Sequence, residues 1–259
     1  MDMYCVQVRE VVIGEGKPKI CVPLVARTID ELVREAEVVA QLEPDLVEWR
    51  VDFLESLENG FDLTVIFDNL KTIRNKLGNL PLIFTFRTAR EGGEREISPE
   101  QYVQLNMEAL TSGYADLIDV ELFSPEADVS TLIQSAHQYG VKVILSNHDF
   151  DKTPRKAELI NRLRKAQELG GDLPKIAVMP QSTADVLTLL QATWEMNELY
   201  ADRPIITMSM AGKGVISRLS GEIFGSAVTF GSAGKASAPG QVAVAELRQM
   251  LELLHQSQQ

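Results

Sequence analysis

The sequence predicts an α/β protein of the (β/α)8 TIM-barrel class, with an N-terminal β-hairpin closing the bottom of the barrel. Three observations lead to this reading. Short apolar runs of β character alternate with longer segments of helical period, eight times in succession. The chain has 259 residues, a length at which α/β barrels fold as one domain around one core, so residues 1 to 259 are expected to form a single domain. Charged residues also recur at every second position inside several runs, although parallel strands covered on both faces normally read as continuously apolar. A doubly wound open sheet is the alternative architecture.

The elements follow in order. Residues 4 to 13, Tyr-Cys-Val-Gln-Val-Arg-Glu-Val-Val-Ile, fit a small hairpin before the barrel proper. Barrel strands are expected near 19 to 25, 45 to 51, 81 to 87, 117 to 122, 142 to 148, 175 to 179, 204 to 210 and 227 to 231. Helices are expected at 28 to 42, 61 to 77, 98 to 112, 128 to 139, 154 to 169, 182 to 200, a short one near 214 to 223, and 241 to 256. Thr28, Ser98 and Ser182 stand where N-caps belong, because their side-chain oxygens satisfy amides left free in a first helical turn. Internal repeats, low-complexity tracts and interdomain linkers are absent from the sequence.

Composition narrows the function classes. Hydrophobic residues make up 45% and charged residues 24%, an ordinary globular balance that gives no sign of disorder. Apolar stretches all fall short of the roughly 18 residues that a membrane-spanning helix needs. The start, Met1-Asp2-Met3-Tyr4-Cys5, lacks a basic segment followed by a long apolar core, so a cytoplasmic location is expected. A net charge of -12 disfavours a general nucleic-acid surface but leaves room for a basic pocket holding a small anion. Cys5 and Cys21 are the sole cysteines, which supports neither a disulfide framework nor a zinc site. No metal or cofactor is expected.

Strand parity separates the two faces of the sheet. Val47, Trp49 and Val51 would face helices, which leaves Glu48, Arg50 and Asp52 inside the barrel. The same division turns Asp119 and Glu121 inward, with Ser146 and His148, and Lys175 with Ala177 and Met179. Charges from several strands therefore converge on one axis and suggest a polar cavity of substrate size. Lys175 heads the run Pro174-Lys175-Ile176-Ala177-Val178. An ammonium group is costly to bury alone, so such a lysine is a candidate amine nucleophile. Two plainer readings stay open: an ion pair with Glu121 or Glu48, or a place at the strand's exposed start, away from the C-terminal end where barrel chemistry occurs. His148 ends its strand at that C-terminal end. Glu48 and Arg50 also fit an internal salt bridge. His137 and His255 carry no site signal, and the glycines at 211 to 214 and 231 to 240 match no phosphate-loop spacing.

These residues together resemble one family, type I 3-dehydroquinate dehydratase. The resemblance spans the chain and rests on Gly14-Glu15-Gly16-Lys17-Pro18-Lys19-Ile20, Glu48-Trp49-Arg50-Val51-Asp52, Phe84-Thr85-Phe86-Arg87 with Glu91-Gly92-Gly93, Ser146-Asn147-His148-Asp149-Phe150, Pro174-Lys175-Ile176-Ala177 and Ser237-Ala238-Pro239-Gly240-Gln241, all in order. One departure is Pro23, where the family often offers a serine to the substrate. The resemblance implies a shikimate-pathway lyase that dehydrates 3-dehydroquinate to 3-dehydroshikimate by syn elimination, through a Schiff base and without a cofactor. It implies Lys175 as the nucleophile, His148 as the general acid and base, and Glu91 as the carboxylate that orients this histidine and raises its basicity. Glu48, Arg50, Arg87, Ser237 and Gln241 are implied as substrate contacts and Arg218 as a clamp for the substrate carboxylate; Met208 and Met210, on one face of the seventh strand, would wall the imine from water or else pack the core. A homodimer is implied by the resemblance alone. Residues 231 to 241 are expected to form a lid that brings Ser237 and Gln241 onto the substrate when closed, or else an ordered loop capping the last helix. A class I aldolase and a non-catalytic carboxylate sensor are the rivals.

Overall fold

The computed structural model describes residues 4–60, 62–234 and 237–258. It opens with an antiparallel hairpin of β1 (Val6–Val8) and β2 (Val11–Ile13). Eight parallel barrel strands follow: β3 (Lys19–Leu24), β4 (Leu46–Arg50), β5 (Leu82–Thr85), β6 (Leu117–Glu121), β7 (Lys142–Asp149), β8 (Leu173–Val178), β9 (Ile206–Ser209) and β10 (Val228–Ser232). A two-residue strand, β11 (Val242–Ala243), adds to β10 in parallel. β9 and β10 meet through one isolated bridge, Ile205 with Ser226. There the Ala227 amide donates to the Ile205 carbonyl at 2.8 Å, and Ser226 Oγ accepts from the Thr207 amide at 2.9 Å. The sheet therefore closes into the expected barrel.

Helices α1 (Ile29–Gln41), α2 (Leu63–Leu77), α3 (Pro99–Ser112), α4 (Glu126–Gln138), α5 (Lys156–Glu168) and α6 (Thr183–Leu199) return the chain between strands. Thr28 caps α1, while Ser98 and Ser182 form capping boxes with Gln101 and Asp185, so the expected start signals operate. Outward strand residues such as Val47, Trp49, Phe84, Ile118 and Val120 join Leu32, Ile66, Leu70, Leu105 and Leu132 of the helices in one buried layer. Burying each large side chain of this kind contributes about 1.5–3 kcal/mol. The inward faces begin with a second apolar layer, including Leu46, Ile83, Leu117, Ile144, Leu173, Ile206 and Val228, against which the hairpin buries Val6, Val8 and Ile13. This plugs the barrel's N-terminal end.

Several boundaries differ from expectation. β8 starts at Leu173, two residues before the expected strand, so Lys175 is its third residue. The segment expected as one helix near 214 to 223 splits at Ser220 into α7 (Val215–Leu219) and α8 (Gly221–Phe224). The last expected helix begins with β11 and becomes α9 only at Val244–Gln256. Phe61, the expected first residue of α2, lies outside the described residues, and Asp62 is the observed N-cap. Among the described residues, no helix is long and apolar enough to cross a membrane.

Candidate active site

Three inward faces that start apolar at the bottom turn polar toward the strands' C-terminal ends: Leu46 is followed by Glu48 and Arg50, Leu117 by Asp119 and Glu121, Ile144 by Ser146 and His148. The faces of β9 and β10 stay apolar, through Met208 and on to Met210, and through Phe230. The barrel closes its own floor with the first residue of each series and builds the site from the rest. Lys175 lies above this floor, 4% exposed, so the earlier strand start raises it into the barrel rather than leaving it at an open end. Its Nζ donates to Asp119 Oδ2 at 3.0 Å and lies 3.7 Å from Glu48 Oε1. The Phe230 ring stands 4.6 Å away, with its centroid facing the ammonium, an orientation in which the ring quadrupole attracts the charge. The observed ion-pair partners are thus Asp119 and Glu48, with Glu121 engaged elsewhere.

Arg87 organises the neighbouring carboxylates. It donates to Asp119 at 2.7 Å, to Glu121 at 3.1 Å and to Ser146 Oγ at 3.0 Å. Burial opposes the charge on both sides of this cluster, but Arg87, Lys175 and the Ser146 hydroxyl together hold Asp119 below the usual carboxylate range. Arg50 makes a bidentate pair with Asp52, at 2.8 and 2.7 Å, in place of the anticipated bridge to Glu48. Asp52 also accepts the Glu94 amide at 3.1 Å, so it ties β4 to the loop that carries Glu91.

That loop is shaped by glycine. Gly92 has φ 83°, and a Cβ there would stand 2.2 Å from the Phe150 ring; at Gly93 a Cβ would stand 1.9 Å from the Arg87 carbonyl. The tight turn puts Glu91 beside the end of β7. Its Oε2 accepts the His148 amide at 2.9 Å and lies 3.0 Å from His148 Nδ1, while its Oε1 accepts from Asn147 Nδ2 at 3.2 Å. Burial raises the Glu91 carboxyl to about 7, despite the opposing effect of Arg87. Burial, then Arg87, Lys175 and Arg50, hold His148 well below the ordinary histidine range. Desolvation and three cations thus act against the basicity that the resemblance assigns to the Glu91 partnership. An ionised Glu91 accepting from Nδ1–H would leave Nε2 as the basic nitrogen.

A cavity of ≈ 40 Å³ opens above these groups. Glu48, Arg50, Arg87, Glu91, His148, Lys175, Met208, Met210, Ser237 and Gln241 all line it. Both methionines also belong to the buried inner layer, so packing and lining coincide. Gln241 accepts the Ser237 amide at 2.9 Å and donates to Ser237 Oγ at 3.0 Å. Pro239 accepts the Ala211 amide at 3.0 Å, and Gly240, at φ 80°, comes so near Ala211 that a Cβ would stand 2.3 Å from its carbonyl. Residues 237 to 241 are thus seated over the cavity; Lys235 and Ala236 of the expected lid lie outside the described residues.

Arg218 is the one expected site residue that sits behind the cavity wall. It is 1% exposed, donates weakly toward Met208 Sδ at 3.7 Å and donates to the Pro239 carbonyl at 3.2 Å. Its Nε has no hydrogen-bond partner among the described residues. Burial lowers its guanidinium to about 10. A buried cation without a carboxylate is costly, and here the shortfall adjoins the cavity through Met208 and Pro239.

Sequence parity turned Asp119 inward but gave it no role, and Phe230, Phe150 and Asn147 were missed as site residues. The signal for Asp119 was its alternation with Ile118 and Val120; no periodic signal marks the other three. His137 pairs with Asp172 at 2.9 Å and His255 with Glu222 at 2.6 Å, neither of them a cavity residue. Among the described residues, no group of three or more His, Cys, Asp or Glu could hold a metal ion.

The model of the family "Type I 3-dehydroquinase" matches residues 20–258. The chain is 58% identical over 252 residues to a 3-dehydroquinate dehydratase of Bacillus licheniformis, covering 97% of this chain and 98% of that one. It is 56% identical to one of Syntrophotalea carbinolica, covering 98% and 99%. Among solved structures, the type I 3-dehydroquinate dehydratase of Clostridium difficile with covalently modified comenic acid superposes with a TM-score of 0.95. That structure is 52% identical over 98% of this chain and 99% of its own.

Proposed function

Because the chain belongs to the type I 3-dehydroquinase family and is a hydro-lyase acting on 3-dehydroquinate, we propose that it removes water through an imine on Lys175, within one catalytic domain spanning residues 1 to 259. The observation that carries this reading is the position of Lys175 Nζ: buried at the barrel's centre, at the base of a cavity whose rim holds the His148–Glu91 pair. The covalently modified comenic acid of the Clostridium difficile relative agrees with a site that reacts covalently.

In this reading Nζ gives up its ammonium proton and attacks the substrate ketone, and that proton and one amine proton leave with the carbonyl oxygen as water, so that the imine forms protonated. The protonated imine then draws electrons from the adjacent carbon, which acidifies its hydrogen. His148 Nε2 takes that proton. As the carbon–oxygen bond at the next carbon breaks, the imidazolium returns the proton to the departing hydroxyl, so one group serves both steps on one face of the ring. Hydrolysis of the conjugated imine releases 3-dehydroshikimate and restores Lys175. Glu91 holds the Nδ1–H tautomer throughout.

Arg218 would receive the substrate carboxylate, since a guanidinium forms two parallel charge-assisted bonds with such a group and the Nε of this one has no hydrogen-bond partner among the described residues. Glu48, Arg50, Arg87, Ser237 and Gln241 would contact the ring hydroxyls, and Met208 and Met210 would keep water from the imine. Residues 237 to 241, seated over the cavity, would close over the intermediate and keep water from it. Pro23 offers no hydroxyl to the substrate. It is tolerated in β3 because the registered β3–β10 pairing ends at Cys21, before the missing amide would be needed.

The test is borohydride inactivation followed through product absorbance in the ultraviolet. Activity should be lost only when borohydride and 3-dehydroquinate are present together. Full activity after that treatment would contradict an imine.

A further inference from the structure

A line of polar contacts reaches the His148–Glu91 pair from outside the cavity. Asn147, on the outward face of β7, is buried, yet its amide spans two partners: Nδ2 donates to Glu91 Oε1 at 3.2 Å, and Oδ1 accepts from Arg162 at 2.8 Å. Arg162 comes from α5, is bonded to Glu158 at 2.8 Å and rests over the Phe123 ring at 5.4 Å. None of Asn147, Arg162 and Phe123 lines the cavity. An amide is nearly symmetric in shape, so its orientation is set by its neighbours. A guanidinium donates only, and it therefore forces the oxygen of Asn147 toward itself and the NH2 toward Glu91.

We propose that Asn147, locked in this orientation by Arg162, is a positioning residue for His148: it occupies Glu91 Oε1 with a donor, leaving Oε2 to the imidazole and favouring the ionised carboxylate. The inference rests on His148 acting as the base. With Glu91 ionised, Nδ1 must donate and Nε2 is free to take a proton; with Glu91 protonated, the carboxyl can donate to Nδ1 and the basic nitrogen is turned the wrong way. The other charged groups facing the pair are Arg87, at 3.6 Å from Glu91, with Glu121 from β6, Lys175 from β8 and Arg50 from β4. Asp149, 3.8 Å from Arg162, faces the outer end of the line. Asn147 is thus a neutral donor that supports the anion without adding another cation beside the histidine, where a cation would further weaken the base.

The experiment is the pH dependence of kcat/KM for the wild type, Asn147→Ala, Arg162→Gln and His148→Ala. Loss of the donor should move the rising limb of Asn147→Ala upward by about one pH unit, equivalent to about tenfold lower kcat/KM at pH 6 with less than about twofold change at pH 9. Arg162→Gln, on a partly exposed helix position, should move the limb the same way by a smaller amount and stands in if Asn147→Ala does not fold. Limbs that superpose on the wild type, or a loss uniform in pH, would overturn the proposal provided His148→Ala is inactive. Normal turnover of His148→Ala would instead overturn the reading of His148 as base and this inference with it.

Discussion

Lys175 Nζ and Asp119 Oδ2 lie 3.0 Å apart at the centre of the barrel, Asp119 fully buried and Lys175 4% exposed at the cavity. Asp119 is the better-connected member, because it also accepts from Arg87 at 2.7 Å and Ser146 at 2.6 Å. The two residues should therefore respond differently to removal.

Asp119→Ala should destabilise the fold by about 3–5 kcal/mol, since it leaves the buried Arg87 and Lys175 short of an anion. Lys175→Ala should cost less than about 2 kcal/mol, because Asp119 keeps its two other donors. Urea denaturation at pH 7.5 measures both. Equal losses would show that Lys175 is as structural as Asp119.

His148→Ala separates imine formation from proton transfer. Borohydride added with substrate should still trap some adduct, while kcat falls by at least about a hundredfold, the contribution usual for a positioned acid–base group. Rapid single-turnover measurements would register a normal elimination rate if His148 were structural only.

Glu91→Gln tests the buried carboxyl through linkage. A folded-state value of about 7 against an ordinary 4.5 means that the native state favours the protonated form. Its stabilising contribution is complete below pH 4.5 and is lost as pH rises through about 7. The glutamine variant lacks this dependence, so the wild type should lose stability relative to it between about pH 4.5 and 7, by on the order of 3 kcal/mol. Denaturation midpoints that run parallel from pH 5 to pH 8 would exclude this strain.

Arg218→Met should raise stability and impair binding together. Replacing a buried cation held near 10 by burial with an apolar side chain removes a desolvation cost, so the urea midpoint should rise. KM for 3-dehydroquinate should rise at least about tenfold, the value of a charged hydrogen bond in a buried site. An unchanged KM would place the carboxylate clamp elsewhere.

The barrel was legible in the sequence because inward charges on covered strands break an otherwise apolar pattern, and Glu48, Arg50, His148 and Lys175 all stood out that way. Thr28, Ser98 and Ser182 likewise announced their helices. The height of Lys175 was not legible: Pro174 reads as a boundary, yet it sits inside β8 opposite Leu145, since a proline forfeits only one ladder bond. Parity turns Asp119 inward, but its bond to Lys175 spans β6 and β8 with β7 between them, and such reach depends on barrel curvature. Arg218's isolation and the Arg162–Asn147–Glu91 line arise from side chains of distant segments, where no local spacing leaves a trace. The split of α7 from α8 and the two residues of β11 are too short for any periodicity to register.

The most direct test of the central claim is peptide mapping by mass spectrometry after borohydride is added during turnover. One stable adduct, of a mass fitting reduced substrate or product imine, is expected on Lys175. An adduct on another lysine such as Lys213, or inactivation with unmodified Lys175, would contradict that claim.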